Sequence, residues 1–247
     1  MGQYATVNGL RTYYETLGEG DPLVLLHGGG VTADSWYAQL PFLAQHFTVY
    51  APERRGHGRT PDVEGPVTTD LMADDTAAFL ETLGTGPAHL VGWSAGGTVA
   101  LRLALRRPDL VRTLTLISTA LSRDASTPAD LALVHGPDTE ALAALFRPQY
   151  EPLSPDGPAH FPVVFAKWLR MWREEPDVEL STLAGLLMPV LVMQGDHDGL
   201  RVEYSAAAVA ALPDARLAVV PGTTHALPLE KPALVNQLLL DFLAPAG

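Results

Sequence analysis

The chain has 247 residues, 47% of them hydrophobic and 18% charged, which suits one α/β domain with an insertion, or two domains, and supplies ample material for a core. Its formal net charge of −12 disfavours nucleic acid or an anionic membrane as a partner, and its apolar runs are too short to span a bilayer. Cysteine is absent, which excludes disulfides, a thiolate nucleophile and cysteine-based metal sites; with no basic-then-apolar leader in MGQYATVNGL, the expectation is a cytoplasmic protein.

The first elements read as a hairpin. QYATV and LRTYYET alternate and are rich in β-formers, and Asn8-Gly9 between them is a two-residue turn signal. Gly2 and Thr6 also fit the loose pattern for N-myristoylation, but the segment reads as a strand. Six short apolar runs follow: PLVLLHG (22–28), FTVYAP (47–52), AHLVGW (88–93), RTLTLIS (112–118), PVLVMQG (189–195) and RLAVVPG (216–222). Most lack polar alternation, as strands of a parallel sheet covered on both faces do. Helical patterns separate most of them: ADSWYAQLPFLAQHF (33–47), TTDLMADDTAAFLETLG (68–84), AGGTVALRLALRRPDL (95–110) and EYSAAAVAALPD (203–214), with KPALVNQLLLDFLA (231–244) last. Alternating β and α predicts an α/β fold with a mostly parallel sheet of about eight strands and helices on both faces.

Residues 120–188 break the rhythm. They carry eight prolines and no clear strand, while Phe161, Phe165, Trp168 and Trp172 recur at i, i+4, i+7 and i+11, one face of a helix. We expect a small helical cap over the C-terminal edge of the sheet, inserted between two core portions, 1–119 and 189–247. The stripe either packs the cap onto the core or lines part of an apolar pocket, to which Trp36 and Trp93 are added as candidates.

GWSAG puts a single Ser94 where a strand ends and a helix begins, the context in which G-x-S-x-G forms a nucleophile elbow. By itself Ser94 also suits a helix N-cap. A serine nucleophile needs a base, and the base an orienting acid. His225 lies in PGTTHALPLEKP after the last strand, and Asp196 and Asp198 lie in QGDHDGL after the strand before it, so all fall at C-terminal strand ends, in the order Ser, Asp, His. The glycines of LLHGGGVTADSW let backbone N–H groups approach a substrate oxygen. Gly29 is the first choice of donor, with Gly28 and Gly30 open, paired with Ala95 after the serine. No HExxH or phosphate-loop motif is present, and the DHD of 196–198 is explained by its loop, so no metal and no cofactor are expected. Arg102, Arg106, Arg107 and Arg112 read as a solvated face.

HGGG, APERRGHGRT, VGWSAGG, QGDHDGL and PGTTHALPLEKP occur in an order and spacing that resemble the α/β-hydrolase superfamily over nearly the whole chain, and its compact, lid-bearing, esterase-like members in particular. The resemblance implies Asp198 as the acid, three residues after Gly195. Glu53 departs from the aspartate usual there, and the loop from Arg54 to Arg59 is expected as a structural turn that can add rim contacts, outside the chemistry. Serine at position 94 separates the chain from relatives with an aspartate nucleophile, the haloalkane dehalogenases and epoxide hydrolases; proline iminopeptidases usually carry a larger cap. The implied activity is hydrolysis of a small apolar ester or lactone through an acyl-enzyme. Cofactor-free perhydrolysis (haloperoxidase-like), carbon–carbon bond hydrolysis, and an inactive or ligand-binding homologue are the alternatives.

Overall fold

The computed structural model describes residues 2–244. β1 (Gly2–Val7) and β2 (Leu10–Leu17) form the antiparallel hairpin, turned by Asn8 and Gly9, both at positive φ. β2 pairs antiparallel with β4 (Phe47–Pro52), and β4 pairs parallel with β3 (Asp21–Leu26). β5 (Ala88–Trp93), β6 (Val111–Ile117), β7 (Val190–Gly195) and β8 (Ala215–Val220) continue in parallel, in the order β1-β2-β4-β3-β5-β6-β7-β8. β5 and β7 are buried along their whole length, as strands covered on both faces must be. The register sets Leu26 beside Gly92, Trp93 beside Ile117, and Ile117 beside Met193. The ends of β3, β5, β6 and β7 therefore open onto one edge of the sheet.

Two apolar cores lie on the two faces. One packs α2 (Thr69–Leu83), α3 (Ala95–Arg106) and α7 (Val202–Ala211) through Met72, Leu80, Val99, Leu103 and Ala208. The other packs α1 (Gln39–Leu43), α8 (Leu227–Glu230) and α9 (Pro232–Leu243) through Leu43, Leu227, Leu239 and Phe242, with Trp36 from the turn before α1. α2 has both expected ends: the Thr68 hydroxyl accepts from the Leu71 N–H, and Gly84 closes the helix at φ 64°. Two boundaries differ from the sequence pattern. Residues 33–47 form a 3₁₀ turn (Ala33–Trp36) and then the short α1, because Pro41 cannot donate within a continuous helix and is tolerated in a first turn. α3 stops at Arg106, before Pro108, where the residue preceding proline is pushed out of helical geometry.

Between β6 and β7 the chain forms α4 (Pro128–His135), α5 (Glu140–Tyr150) and α6 (Phe161–Glu174), joined by 3₁₀ turns. Several of its prolines start helices rather than break them: Pro128 and Pro162 lie in first turns, where a missing N–H costs nothing. Leu142, Tyr150, Phe161, Val164, Phe165 and Trp168 make a third, separate apolar cluster. Polar ties fasten these helices to the sheet layer. Lys167 and His160 meet the buried Asp62 carboxylate at 2.7 and 2.9 Å, and Arg102 meets Glu175 at 3.1 Å. Arg102 is thus mostly covered, unlike the half-exposed Arg106, Arg107 and Arg112, so the expected solvated face holds only for those three.

Candidate active site

Ser94 stands between β5 and α3 at φ 55°, ψ −123°, a left-handed conformation that costs a non-glycine residue about 1–3 kcal/mol. The turn is tight because its neighbours lack side chains: a Cβ on Gly96 would collide with the carbonyl of Leu26, and one on Gly92 with that of Gly96. Backbone hydrogen bonds hold the elbow. The Ser94 N–H donates to Ile117 O at 2.8 Å, and Ser94 O accepts from Gly97 N at 2.8 Å. Ala95 opens α3, so its N–H is one of the orphan donors of a helix start. Ser94 Cβ lies 3.8 Å from where a Cβ on Gly28 would stand, which sets the serine against the glycine loop after β3.

His225 and Asp198 are in contact. His225 Nδ1 and Asp198 Oδ1 are 2.9 Å apart, and the Asp198 side chain is completely buried. The other carboxylate oxygen, Oδ2, accepts from Ser118 Oγ at 2.5 Å. Burial pulls the imidazole of His225 down, but the hydrogen bond and charge of Asp198 outweigh it, and the net shift is upward. Trp93 Nε1 donates to His225 O at 2.8 Å, tying the residue before Ser94 to the histidine loop. Asp196 does other work. Its Oδ1 accepts from Thr223 N at 3.2 Å while His197 N donates to Thr223 O at 3.0 Å, so it ties its own loop to the one bearing His225.

Beneath the glycine loop lies a buried basic layer. Arg54 Nη2 donates to the carbonyls of His27 and Gly28 at 2.5 and 2.8 Å. His27 receives the Arg54 N–H at Nε2, and its ring faces His57 at 5.1 Å. Burial, reinforced by Arg54, holds His27 well below the usual range and His57 at about 3, so both are neutral donors and acceptors. The loop is the structural turn expected, but Arg54 and His57 are buried and make no rim contacts. These side chains support the glycine loop from inside, because the chain dives under the helices after β4 instead of running along the surface.

The candidate pocket aromatics separate by place. Trp172 lies on Gly29, where an added Cβ would come within 2.6 Å of its ring. Trp168 stacks on His57 with ring centroids 4.6 Å apart. Phe161 and Phe165 stack on each other at 5.4 Å within the third cluster. Trp36 is fully buried in the α1/α9 core and meets Trp93 edge-on at 6.1 Å. Two contributors have no counterpart among the sequence candidates. Phe146 of α5 covers Gly30, where a Cβ would meet its ring at 2.5 Å. Ser118 reaches the Asp198 carboxylate. Its one sequence signal was its place at the end of RTLTLIS, on the same sheet edge as the others. Among the described residues, no group of three or more metal-ligating side chains is gathered, and no helix is long and apolar enough to cross a membrane.

Residues 23–238 match the model of the alpha/beta hydrolase family. A putative carbamate hydrolase of Azorhizobium caulinodans is 30% identical over 93% of this chain and 94% of its own length. A bifunctional esterase/perhydrolase of Acinetobacter calcoaceticus is 30% identical over 98% of this chain and 99% of its own. Among solved structures, the enol-lactonase of Burkholderia xenovorans LB400 superposes with a TM-score of 0.75 at 25% identity, over 98% of this chain and 99% of that one.

Proposed function

The chain belongs to the alpha/beta hydrolase family, and from that premise we propose that it cleaves a small carboxylic ester or lactone through an acyl-enzyme formed on Ser94. The observation that carries the reading is the 2.9 Å contact of His225 Nδ1 with a buried Asp198 carboxylate, on the sheet edge where Ser94 stands on its strained turn. In this mechanism Ser94 Oγ attacks the carbonyl carbon and His225 takes its proton. Asp198 holds the imidazole in the tautomer with its proton on Nδ1 and stabilises the imidazolium that forms. The N–H groups of Ala95 and Gly29 face the developing oxyanion, each donor being worth about 3–4 kcal/mol in comparable sites. The imidazolium gives its proton to the leaving alcohol, and water, deprotonated by the same histidine, releases the acid. The residues require no cofactor for this sequence.

Residues 120–188 act as a cap in this reading, and Trp172 and Phe146, lying on Gly29 and Gly30, bound the space for the acyl group. Trp168 and the two phenylalanines serve packing more than lining. Similarity to an esterase/perhydrolase favours a second outcome on the same acyl-enzyme, in which hydrogen peroxide replaces water and a peracid is released.

The test is labelling with a fluorophosphonate, followed by peptide mass spectrometry and turnover of p-nitrophenyl esters and lactones of graded size. Modification of Ser94 and ester turnover that both vanish in a folded Ser94→Ala variant are expected. Unimpaired turnover by Ser94→Ala would refute the assignment.

A further inference from the structure

Ser118 follows the last residue of β6 and is fully buried, yet its backbone stands at φ 48°, in the left-handed region that serine disfavours. No turn chemistry asks for serine there; glycine would meet the backbone requirement without strain. Its hydroxyl is the feature glycine would lack, and that hydroxyl donates to Asp198 Oδ2 at 2.5 Å. Among the described residues, two donors reach the Asp198 carboxylate: His225 Nδ1 on one oxygen and Ser118 Oγ on the other. A carboxylate with no solvent contact needs both oxygens satisfied, and an unmatched buried acceptor is costly.

The backbone around Ser118 is held from both sides. Its own N–H donates to Met193 O at 2.8 Å, on β7, the strand that leads into the acid loop. The preceding carbonyl, Ile117 O, accepts the N–H of Ser94 at 2.8 Å. The end of β6 thus touches the nucleophile's backbone and the acid's side chain in consecutive residues. A displaced Ser118 would shift both.

Resting on the acyl-enzyme reading above, we infer that Ser118 is a positioning residue that fixes the plane of the Asp198 carboxylate and so the direction of its hydrogen bond to His225. Its strained backbone is retained for that hydroxyl. The carboxylate can rotate about its Cβ–Cγ bond, and one donor to one oxygen, carried on the half-exposed His225 ring, restrains that rotation only weakly. A second donor, on a rigid strand end, removes it. The imidazole then stays aligned to accept the Ser94 proton.

The experiment compares wild type with Ser118→Gly, which removes the hydroxyl and relieves the φ strain, and Ser118→Thr, which keeps the hydroxyl. For each, kcat and KM on a p-nitrophenyl ester, the fluorophosphonate labelling rate of Ser94, melting temperature and the downfield proton resonance of His225 Nδ1–H are measured. The expected result for Ser118→Gly is a folded protein whose melting temperature falls modestly, because the unmatched Asp198 oxygen outweighs the relieved φ strain, a kcat and labelling rate lower by about ten- to a hundredfold with KM unchanged, and a broadened or shifted Nδ1 resonance. Ser118→Thr is expected to keep more of the wild-type rate than Ser118→Gly, at a lower melting temperature, because a β-branched residue is strained further at this φ. A folded Ser118→Gly with wild-type kcat and labelling rate overturns the proposal whatever the resonance does. If wild type itself is neither labelled nor active, the serine-hydrolase reading falls, and the resonance alone decides Ser118: a change upholds its hold on Asp198, and an unchanged line overturns it.

Discussion

Replacing Asp198 by asparagine exchanges one carboxylate oxygen for an NH₂ group and tests the site at its centre. The carboxylate accepts from His225 Nδ1 on one oxygen and from Ser118 Oγ on the other. Asparagine has one acceptor and one NH₂ donor, so it cannot meet both groups as they stand. If its oxygen turns to Ser118, its NH₂ faces His225 Nδ1 and drives the ring proton to Nε2, where the base can no longer accept from Ser94. If its oxygen turns to His225, Ser118 must rotate its hydroxyl to accept, and the imidazolium still loses the negative charge that stabilises it. Either way the transition state loses far more than the ground state. In a related triad this change lowers turnover by about 10⁴, close to 5 kcal/mol in activation free energy. Stability should change little, because the variant removes a buried charge while keeping the volume. Steady-state kinetics on an activated ester, with a thermal melt, measure both. The control is Asp196→Ala, which removes an exposed acceptor for Thr223 N and should lower the melting temperature slightly while leaving kcat within a fewfold. A folded Asp198→Asn enzyme within tenfold of wild type, beside an inactive Asp196→Ala, would show that the orienting acid has been misassigned.

Other outcomes follow from the same geometry. Trp172→Ala removes the ring over Gly29 and should move the preference from short toward longer acyl chains, with little change on an activated acetate; an unchanged chain-length profile would leave Trp172 a packing residue only. Because Asp198 raises the imidazole of His225 and the base works only when neutral, kcat/KM should rise with pH through an apparent pKa above the ordinary histidine value, and Asp198→Asn should move that limb down. Urea titrations at several pH values test the buried histidines. His27, His57 and His89 are held low by burial, so below their ordinary value the unfolded chain takes up protons that the folded one refuses, and stability falls by up to about 1.4 kcal/mol per pH unit for each. Glu53, pushed up to about 7 by burial, binds its proton in the folded state and offsets about one of them, leaving a loss of about 3 kcal/mol per pH unit between pH 6 and 5. A flat unfolding free energy across that window would contradict neutral, buried imidazoles.

Much of the fold was legible because its signals are local. Apolar runs without alternation mark strands buried on both faces, and β5 and β7 are such strands. Asn8-Gly9 names its own turn, and Thr68 and Gly84 bracket α2 as cap chemistry dictates. Proline was legible as punctuation but not in its sense. Pro41 divides a stretch that the periodicity joins, while Pro128 and Pro162 open helices, and the difference depends on which N–H groups already lack partners. The APERRGHGRT stretch was legible as a structural turn but its depth was not, since four charges and two glycines look like surface while Arg54 and His57 are buried.

The sequence by itself determined the element order, the alternation that forces a parallel sheet, and the presence of a serine, a histidine and acids at strand ends. These depend on hydrophobic periodicity and turn chemistry, which act over a few residues. Tertiary structure decided which groups touch. It set Asp198 rather than Asp196 against His225, sent Trp172 and Phe146 to the glycine loop while Trp36 went to the core, and brought Ser118 to a carboxylate eighty residues away. Contacts of that kind depend on strand register and on how helices cross the sheet edge, and these are fixed by packing across the whole chain, where a displacement of one residue or a few ångströms exchanges one partner for another.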